Sequence, residues 1–202
     1  MIAIIDYGMG NLYSVTNALD YLGEKSIITN DAELIKAADG VILPGVGAFP
    51  QAIDCLKELK LDKIITDYVK SGKPILGICL GMQLMFEMGY EGQACKGLGL
   101  LKGKITKMES KTLKIPHIGW NRLEIVTDNA LLNPHEATFV YYVHSYVATD
   151  YDEKDLVAYS MYQDLKIPGY FFHDNIMAMQ FHPEKSGASG LKMLDNFRRM
   201  CR

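Results

Sequence analysis

Between Pro74 and Leu84 the chain reads Pro-Ile-Leu-Gly-Ile-Cys-Leu-Gly-Met-Gln-Leu, with Cys79 two residues from a glycine on either side. An apolar run that ends in this spacing and passes at once into a helical pattern predicts a strand, a tight turn and a helix, with the cysteine at the tip. Such a turn leaves no room for bulk two residues before or after its apex. It strains the backbone, lifts the apical side chain out of the sheet and aims it at the first amides of the helix. Those amides and the helix dipole favour a thiolate, the reactive form of cysteine. The plainer alternative is a buried structural cysteine, since free cysteine is among the most buried residue types.

A second cluster, Gln180-Phe-His-Pro-Glu-Lys-Ser186, lies near the other end of the chain. A thiol nucleophile needs a base, and the base benefits from a third group that fixes its tautomer and stabilises its cation. His182 fits the base and Glu184 the orienting carboxylate. Pro183 favours an extended His182, and residues two apart in an extended segment project to the same side. By itself His-Pro-Glu is an ordinary polar loop; beside the cysteine elbow it makes a thiol triad the leading reading.

The first half of the chain alternates short apolar runs with helical spacing. Strands are expected at Ile2–Ile5, Lys25–Ile28, Val41–Leu43 and Ile75–Ile78. The helix after the Tyr7–Gly10 turn carries Leu12, Val15, Leu19 and Leu22 on one face. Further helices are expected from Asp31 to Ala38, Pro50–Leu59 and Leu61–Ser71. The pattern predicts an α/β fold with an open, mostly parallel sheet flanked by helices. The second half is β-rich. Glycines crowd Gly89–Gly103, with Tyr90–Gly103 read as a loop, and strands are expected near Ile105–Met108, Leu123–Val126, Thr138–Val143, Val157–Met161 and Ile176–Phe181. Ser189–Met200 reads as a closing helix. No repeat or Pro-rich linker separates the halves, so one domain over 1–202 is expected. In such a sheet the reactive edge lies beyond the carboxyl ends of the strands, where the turns at Tyr7–Asn11, Pro44–Gly47 and Cys79 would meet. Pro44-Gly-Val-Gly47 suits an oxyanion loop, because its glycines permit dihedrals that aim a backbone N–H into the site.

At 202 residues, with 49% hydrophobic and 22% charged residues, the composition is that of a soluble globular chain. A formal net charge of -3 gives no bulk attraction to nucleic acid or anionic membrane. No apolar run has transmembrane length, and Met1–Asp6 lacks the basic lead of a signal peptide. The four cysteines show no paired spacing, so reduced thiols in the cytoplasm are expected. Gly8-Met-Gly10 opens like a dinucleotide fingerprint, but position 13 is Tyr13 where the third glycine belongs. His117, His135, His144, His173 and His182 lack metal-ligand spacing, so no metal or cofactor is expected. Met82, Met85 and Met88 recur every three residues, a stripe read as core filling.

Gly-Ile-Cys79-Leu-Gly-Met-Gln together with His182-Pro-Glu184 resembles the class I (triad) glutamine amidotransferases. Asp6-Tyr-Gly-Met-Gly-Asn-Leu12, Pro44-Gly-Val-Gly47 and Pro116-His-Ile-Gly-Trp-Asn121 narrow the resemblance to the glutaminase subunits of imidazole glycerol phosphate synthase, over essentially the whole chain. The resemblance implies hydrolysis of glutamine to glutamate and ammonia through a glutamyl thioester on Cys79, with His182 shuttling the proton. It implies an oxyanion hole from the Val46 and Leu80 N–H groups, and glutamine contacts from Gly47, Gln83, His144, Ser145 and Tyr146. It also implies a partner, a (β/α)8-barrel cyclase subunit that receives ammonia and makes imidazole glycerol phosphate and aminoimidazole carboxamide ribotide in histidine biosynthesis. Asn11, Trp120 and Asn121 are the candidates for its docking face. Bland readings stand beside these: a solvent-facing helix residue for Gln83, a strand end for His144 and Tyr146, an ordinary loop aromatic for Trp120. The competing functions are a glutaminase feeding another synthase, such as the pyridoxal phosphate system, a stand-alone hydrolase of γ-glutamyl compounds, and a silent interaction subunit.

Overall fold

The computed structural model describes residues 1–132 and 138–201, so His135 lies outside the described residues. The expected alternation is present as β1 (Ile2–Ile5), α1 (Leu12–Tyr21), β2 (Ser26–Thr29), α2 (Ala32–Ala37), β3 (Gly40–Leu43), α3 (Phe49–Glu58), α4 (Leu61–Lys70) and β4 (Ile75–Ile78). Polar side chains start two of these helices. Asn11 accepts from Ser14 N–H at the start of α1, and Asp31 accepts from Glu33 and Leu34 N–H at 2.8 and 3.0 Å at the start of α2. Caps of this kind contribute about 1 kcal/mol each.

The elbow leads into α5 (Leu80–Leu84), β5 (Phe86–Glu91), β6 (Gln93–Lys96), β7 (Leu101–Lys107), β8 (His117–Arg122), β9 (Glu124–Ile125), β10 (Phe139–His144), β11 (Tyr146–Thr149), β12 (Leu156–Tyr162), β13 (Leu165–His173), β14 (Ile176–Met179) and α6 (Gly187–Met200). Eight strands form one mixed sheet in the order β2-β1-β3-β4-β14-β13-β12-β9. The β2-to-β14 half is parallel; β13, β12 and β9 add antiparallel strands on the far side. Side chains in the parallel strands alternate between two apolar layers, as the period of two requires. Ile2, Ile4, Leu76 and Ile78 pack with Leu19 of α1 and Leu194 and Phe197 of α6. Ala3, Ile5, Val41 and Ile75 pack with Ile35, Ile53 and Ile65 of α2, α3 and α4. Helices therefore cover both faces.

Three expectations need correction. Tyr90–Gly103 is not an open loop: it supplies β6 and part of β7 to a second sheet ordered β11-β7-β5-β6. Gly97 here, like Gly89 just before it, answers close packing, whereas Gly92 and Gly99 take positive φ in open space. A Cβ on Gly89 would enter the Phe49 ring, and one on Gly97 would fall on the Phe86 carbonyl oxygen. The core-filling reading of the methionine stripe holds for Met82 and Met85 but not fully for Met88, because α5 stops at Leu84. Met82 and Met85 are buried, whereas Met88 sits half-buried on β5. Finally, β8, β11 and β13 were not expected as strands.

Candidate active site

The strand β4 carries the chain to Cys79, whose backbone sits at φ +53°, ψ -111°. A non-glycine residue there is strained, and the surroundings hold it. Cys79 N–H donates to the Met179 carbonyl at 2.8 Å and its own carbonyl accepts from Gln83 N–H. A Cβ at Gly77 would press on the backbone of Met82, and one at Gly81 would fall on the Leu43 carbonyl oxygen. The glycine spacing is thus a packing requirement of this turn. The neighbouring Pro44–Gly47 loop is locked against it: Tyr7 Oη donates to the Pro44 carbonyl at 2.9 Å, and Gly45 lies where a side chain would strike Tyr7 and the Gly81 nitrogen. Gly47 takes φ +114°, a conformation that suits glycine.

His182 follows β14, which lies beside β4 in parallel register, Met179 opposite Ile78. Adjacent strands bring the two groups together across about a hundred residues of sequence. His182 has extended dihedrals, as Pro183 predicts, but Glu184 is in a short 3-10 turn, Pro183–Lys185, and not in a continued strand. That turn swings the carboxylate back, so that His182 Nδ1 and Glu184 Oε1 are 2.8 Å apart, both side chains almost wholly buried. Nδ1–H donates and the carboxylate accepts, which leaves Nε2 for proton traffic; Nε2 is buried with no hydrogen-bond partner among the described residues. Ser186 Oγ ties the turn down by donating to the His182 carbonyl at 2.6 Å and accepting from Tyr141 N–H.

Burial opposes charge on His182, but the sulfur of Cys79 and the carboxylate of Glu184 outweigh it and raise the imidazole well above its ordinary value. The imidazole is thereby held towards its protonated form beside the sulfur. A raised folded-state value contributes stability that is complete below the unfolded value of about 6.5 and is lost as pH rises through the folded one. Ring-nitrogen NMR should find the His182 midpoint above 6.5, and Cys79→Ala should move it down by removing the sulfur. An unmoved midpoint would dissociate the two residues.

A cavity of about 290 Å³ opens over these groups, lined by Val46, Gly47, Cys79, Leu80, Gln83, Glu91, Val143, His144, Ser145, Tyr146 and His182. Each expected oxyanion and substrate residue lines it. Leu80 N–H is the first amide of α5, a position without an intrahelical acceptor. Gln83 is buried, not solvent-facing: its Nε2 donates to Gln180 Oε1 at 2.9 Å and to the Tyr146 carbonyl at 3.2 Å. His144 is buried and held to about 3, chiefly by burial, so it is neutral. Asn11 and Asn121 use their side chains internally, as the α1 cap and as a partner of His117 and Met161; Trp120 is 54% exposed. Sequence reasoning missed Glu91 and Val143. Glu91 was hidden in the supposed glycine loop, and Val143 carries no polar signal. Among the described residues, no three His, Cys, Asp or Glu side chains cluster as a metal site would require.

A thiol–imidazole–carboxylate triad at a strand-to-helix elbow of an α/β sheet, facing an amino-acid-sized pocket, defines the class. The chain belongs to the class-I glutamine amidotransferases, whose family profile matches residues 3–200. More particularly, it is 48% identical to the "Imidazole glycerol phosphate synthase subunit HisH" of Oceanobacillus iheyensis over the full length of both chains. It is 53% identical to the subunit of the same name from Bacillus anthracis, covering 98% of this chain and 94% of that one. Among solved structures, a "glutamine amidotransferase" superposes with TM-score 0.78 at 16% identity, covering 100% of this chain and 99% of that one. "PurLQS from Thermotoga maritima" superposes with TM-score 0.76 at 19% identity, covering 100% and 98%. These last two likenesses support the fold alone.

Proposed function

We propose that this chain hydrolyses glutamine and hands the ammonia to a (β/α)8-barrel cyclase subunit of imidazole glycerol phosphate synthase, in cytoplasmic histidine biosynthesis. The observation that carries the reading is one pocket holding both the Cys79–His182 pair and complementary groups for a free amino acid. The Cys79 thiolate attacks the side-chain amide carbon while Val46 and Leu80 N–H receive the oxyanion. One such donor contributes about 2.7–4 kcal/mol to barrier lowering. His182 gives its Nε2 proton to the departing ammonia, then takes one from the water that cleaves the thioester. Glu184 holds the ring in the donating tautomer. Glu91 supplies the negative charge that an α-ammonium needs, and Gly47 with His144–Tyr146 faces the carboxylate end. One domain over 1–202 carries all of this, without cofactor or metal.

The partner follows from the chemistry, since ammonia in water is captured as ammonium, which has no lone pair for attack. The antiparallel β8–β10 ribbon offers a dry face: Ile118, Trp120, Phe139 and Val143 are 56, 54, 50 and 37% exposed. Val143 belongs both to this face and to the pocket. Isolated apolar residues are commonplace on surfaces; a contiguous ribbon beside a site marks an interface. Asn11 stays in the proposed docking face through its place at the start of α1, while Asn121 supports the face from beneath, through His117 and Met161.

Glutamate release should be low for the chain alone and rise sharply with the cyclase subunit and its nucleotide ligand. High release alone, unchanged by the cyclase, would make the chain an independent hydrolase; stimulation by the pyridoxal phosphate synthase barrel instead would reassign the pathway. Trp120→Ala should weaken cyclase binding by about 2 kcal/mol, roughly 30-fold, as hot-spot tryptophans do. Binding unaffected by this change would move the interface elsewhere.

A further inference from the structure

Beneath the ribbon, two histidines that the mechanism does not use for proton transfer face each other. His117 Nδ1 and His144 Nε2 are 3.0 Å apart, and each ring's other nitrogen meets an acceptor. His117 Nε2 lies 2.9 Å from Asn121 Oδ1, and His144 Nδ1 lies 2.9 Å from the Tyr146 carbonyl oxygen. The Asn121 amide is not free to turn over, because its Nδ2 donates to the Met161 carbonyl at 2.8 Å. Two neutral imidazoles bring two N–H groups, and both are consumed at the outer acceptors. The inner nitrogens then meet lone pair to lone pair. A third proton converts that contact into an N–H···N bond and leaves one positive charge over the two rings. Two tyrosine rings stack on His117, Tyr142 at 4.8 Å and Tyr162 at 4.2 Å between centroids, which favours an imidazolium. Burial opposes the charge, so a counter-charge must accompany it.

We propose that His117 and His144 form one proton-binding unit that takes up a single proton from solvent when an amino-acid carboxylate enters the pocket, and returns it when the pocket empties. The inference rests on the glutamine reading above. His144 lines the cavity, and no lysine or arginine does. The titratable groups facing the pair are the Tyr142 and Tyr162 phenols and His182, with Tyr146, Glu91 and Cys79 in the same cavity. His182 is already committed to Cys79 and Glu184, which leaves the pair as the available cation. His117 is thereby a positioning residue: through His144 it holds the Tyr146 carbonyl, which also receives Gln83. Since occupancy raises the pair's proton affinity, glutamine binding weakens as pH rises, by up to about tenfold per unit.

The test is calorimetry of L-glutamine binding to the non-reacting Cys79→Ala chain, in two buffers of different ionisation enthalpy near neutral pH. Uptake of about one proton, lost in Cys79→Ala with His117→Gln, supports the proposal. In the active enzyme, His117→Gln should raise KM about tenfold, the cost of an unmade buried hydrogen bond, with a much smaller effect on kcat and a flattened dependence of KM on pH. Binding without proton uptake overturns the shared proton and leaves the glutaminase reading standing. Absence of glutamine binding both alone and in complex with the cyclase subunit overturns both. Should His117→Gln not fold, ring-nitrogen NMR of the Cys79→Ala chain decides: on adding glutamine both rings shift together towards the protonated form, whereas unmoved or independent shifts sink the idea.

Discussion

Cys79→Ala is expected to release no measurable glutamate, with a loss of at least about 10⁴-fold, because the remaining triad members have no nucleophile to serve. The fold should survive. The side chain borders a cavity, and alanine inherits the same backbone conformation at φ +53°. Thermal melting within a few degrees of the native chain and unchanged binding to the cyclase would place the loss in chemistry. Retained glutaminase activity would overturn the assignment of the nucleophile. A wholly inactive variant that still stimulates nothing and binds nothing would instead report a damaged fold.

Gly81→Ala should be severely damaging for a single added methyl group. Its Cβ would occupy the Leu43 carbonyl oxygen and press on Pro44, both backbone, so no flexible side chain can yield. Overpacking against backbone costs about 3 kcal/mol or more. The elbow and the Pro44–Gly47 loop would part, removing the oxyanion donors from the nucleophile. Gly23→Ala is the control: φ is +70° and nothing lies within 4 Å, so only the conformational penalty of roughly 1–2 kcal/mol applies. Urea unfolding of the two variants reads the difference. Equal costs would mean that the Leu43 contact relaxes and does not make glycine necessary at the elbow, since Gly81 lies within α5 and is not a positive-φ glycine.

The parallel half of the fold was legible because β1, β3 and β4 are short apolar runs, β2 keeps Ile27 and Ile28 at its centre, and the longer helices have clear stripes. The elbow was legible because its glycines have one steric cause. The second sheet was not. At Gly89 of β5, Gly97 between β6 and β7, and Gly103 of β7, glycine serves close packing of chain on chain, and its local signature is the same as that of a loop. Strand β13 was hidden by Pro168-Gly169, where the pairing with β12 is irregular: Ala158 faces Tyr170 and Tyr159 faces Pro168, with Gly169 between. A side chain at Gly169 would strike Tyr142 Oη. The expected oxyanion and substrate residues line one cavity with Cys79 and His182, yet the sequence alone could not place Glu91 in that cavity or bring His117 against His144. Both depend on pairings between distant strands, and local pattern carries no information about them.

Nucleophile and base stand on adjacent strands, β4 and β14, yet everything from α5 to β13 is threaded between them. Loop closure of that length is slow, and contacts of this range form late. A chain still emerging from the ribosome displays its thiol without the imidazole that activates it, until the segment containing His182 has been made and docked. Hydrolytic competence is thus a readout of completed assembly. Refolding followed by glutamate release should trail the recovery of helix signal, and an unfinished polypeptide cannot squander glutamine.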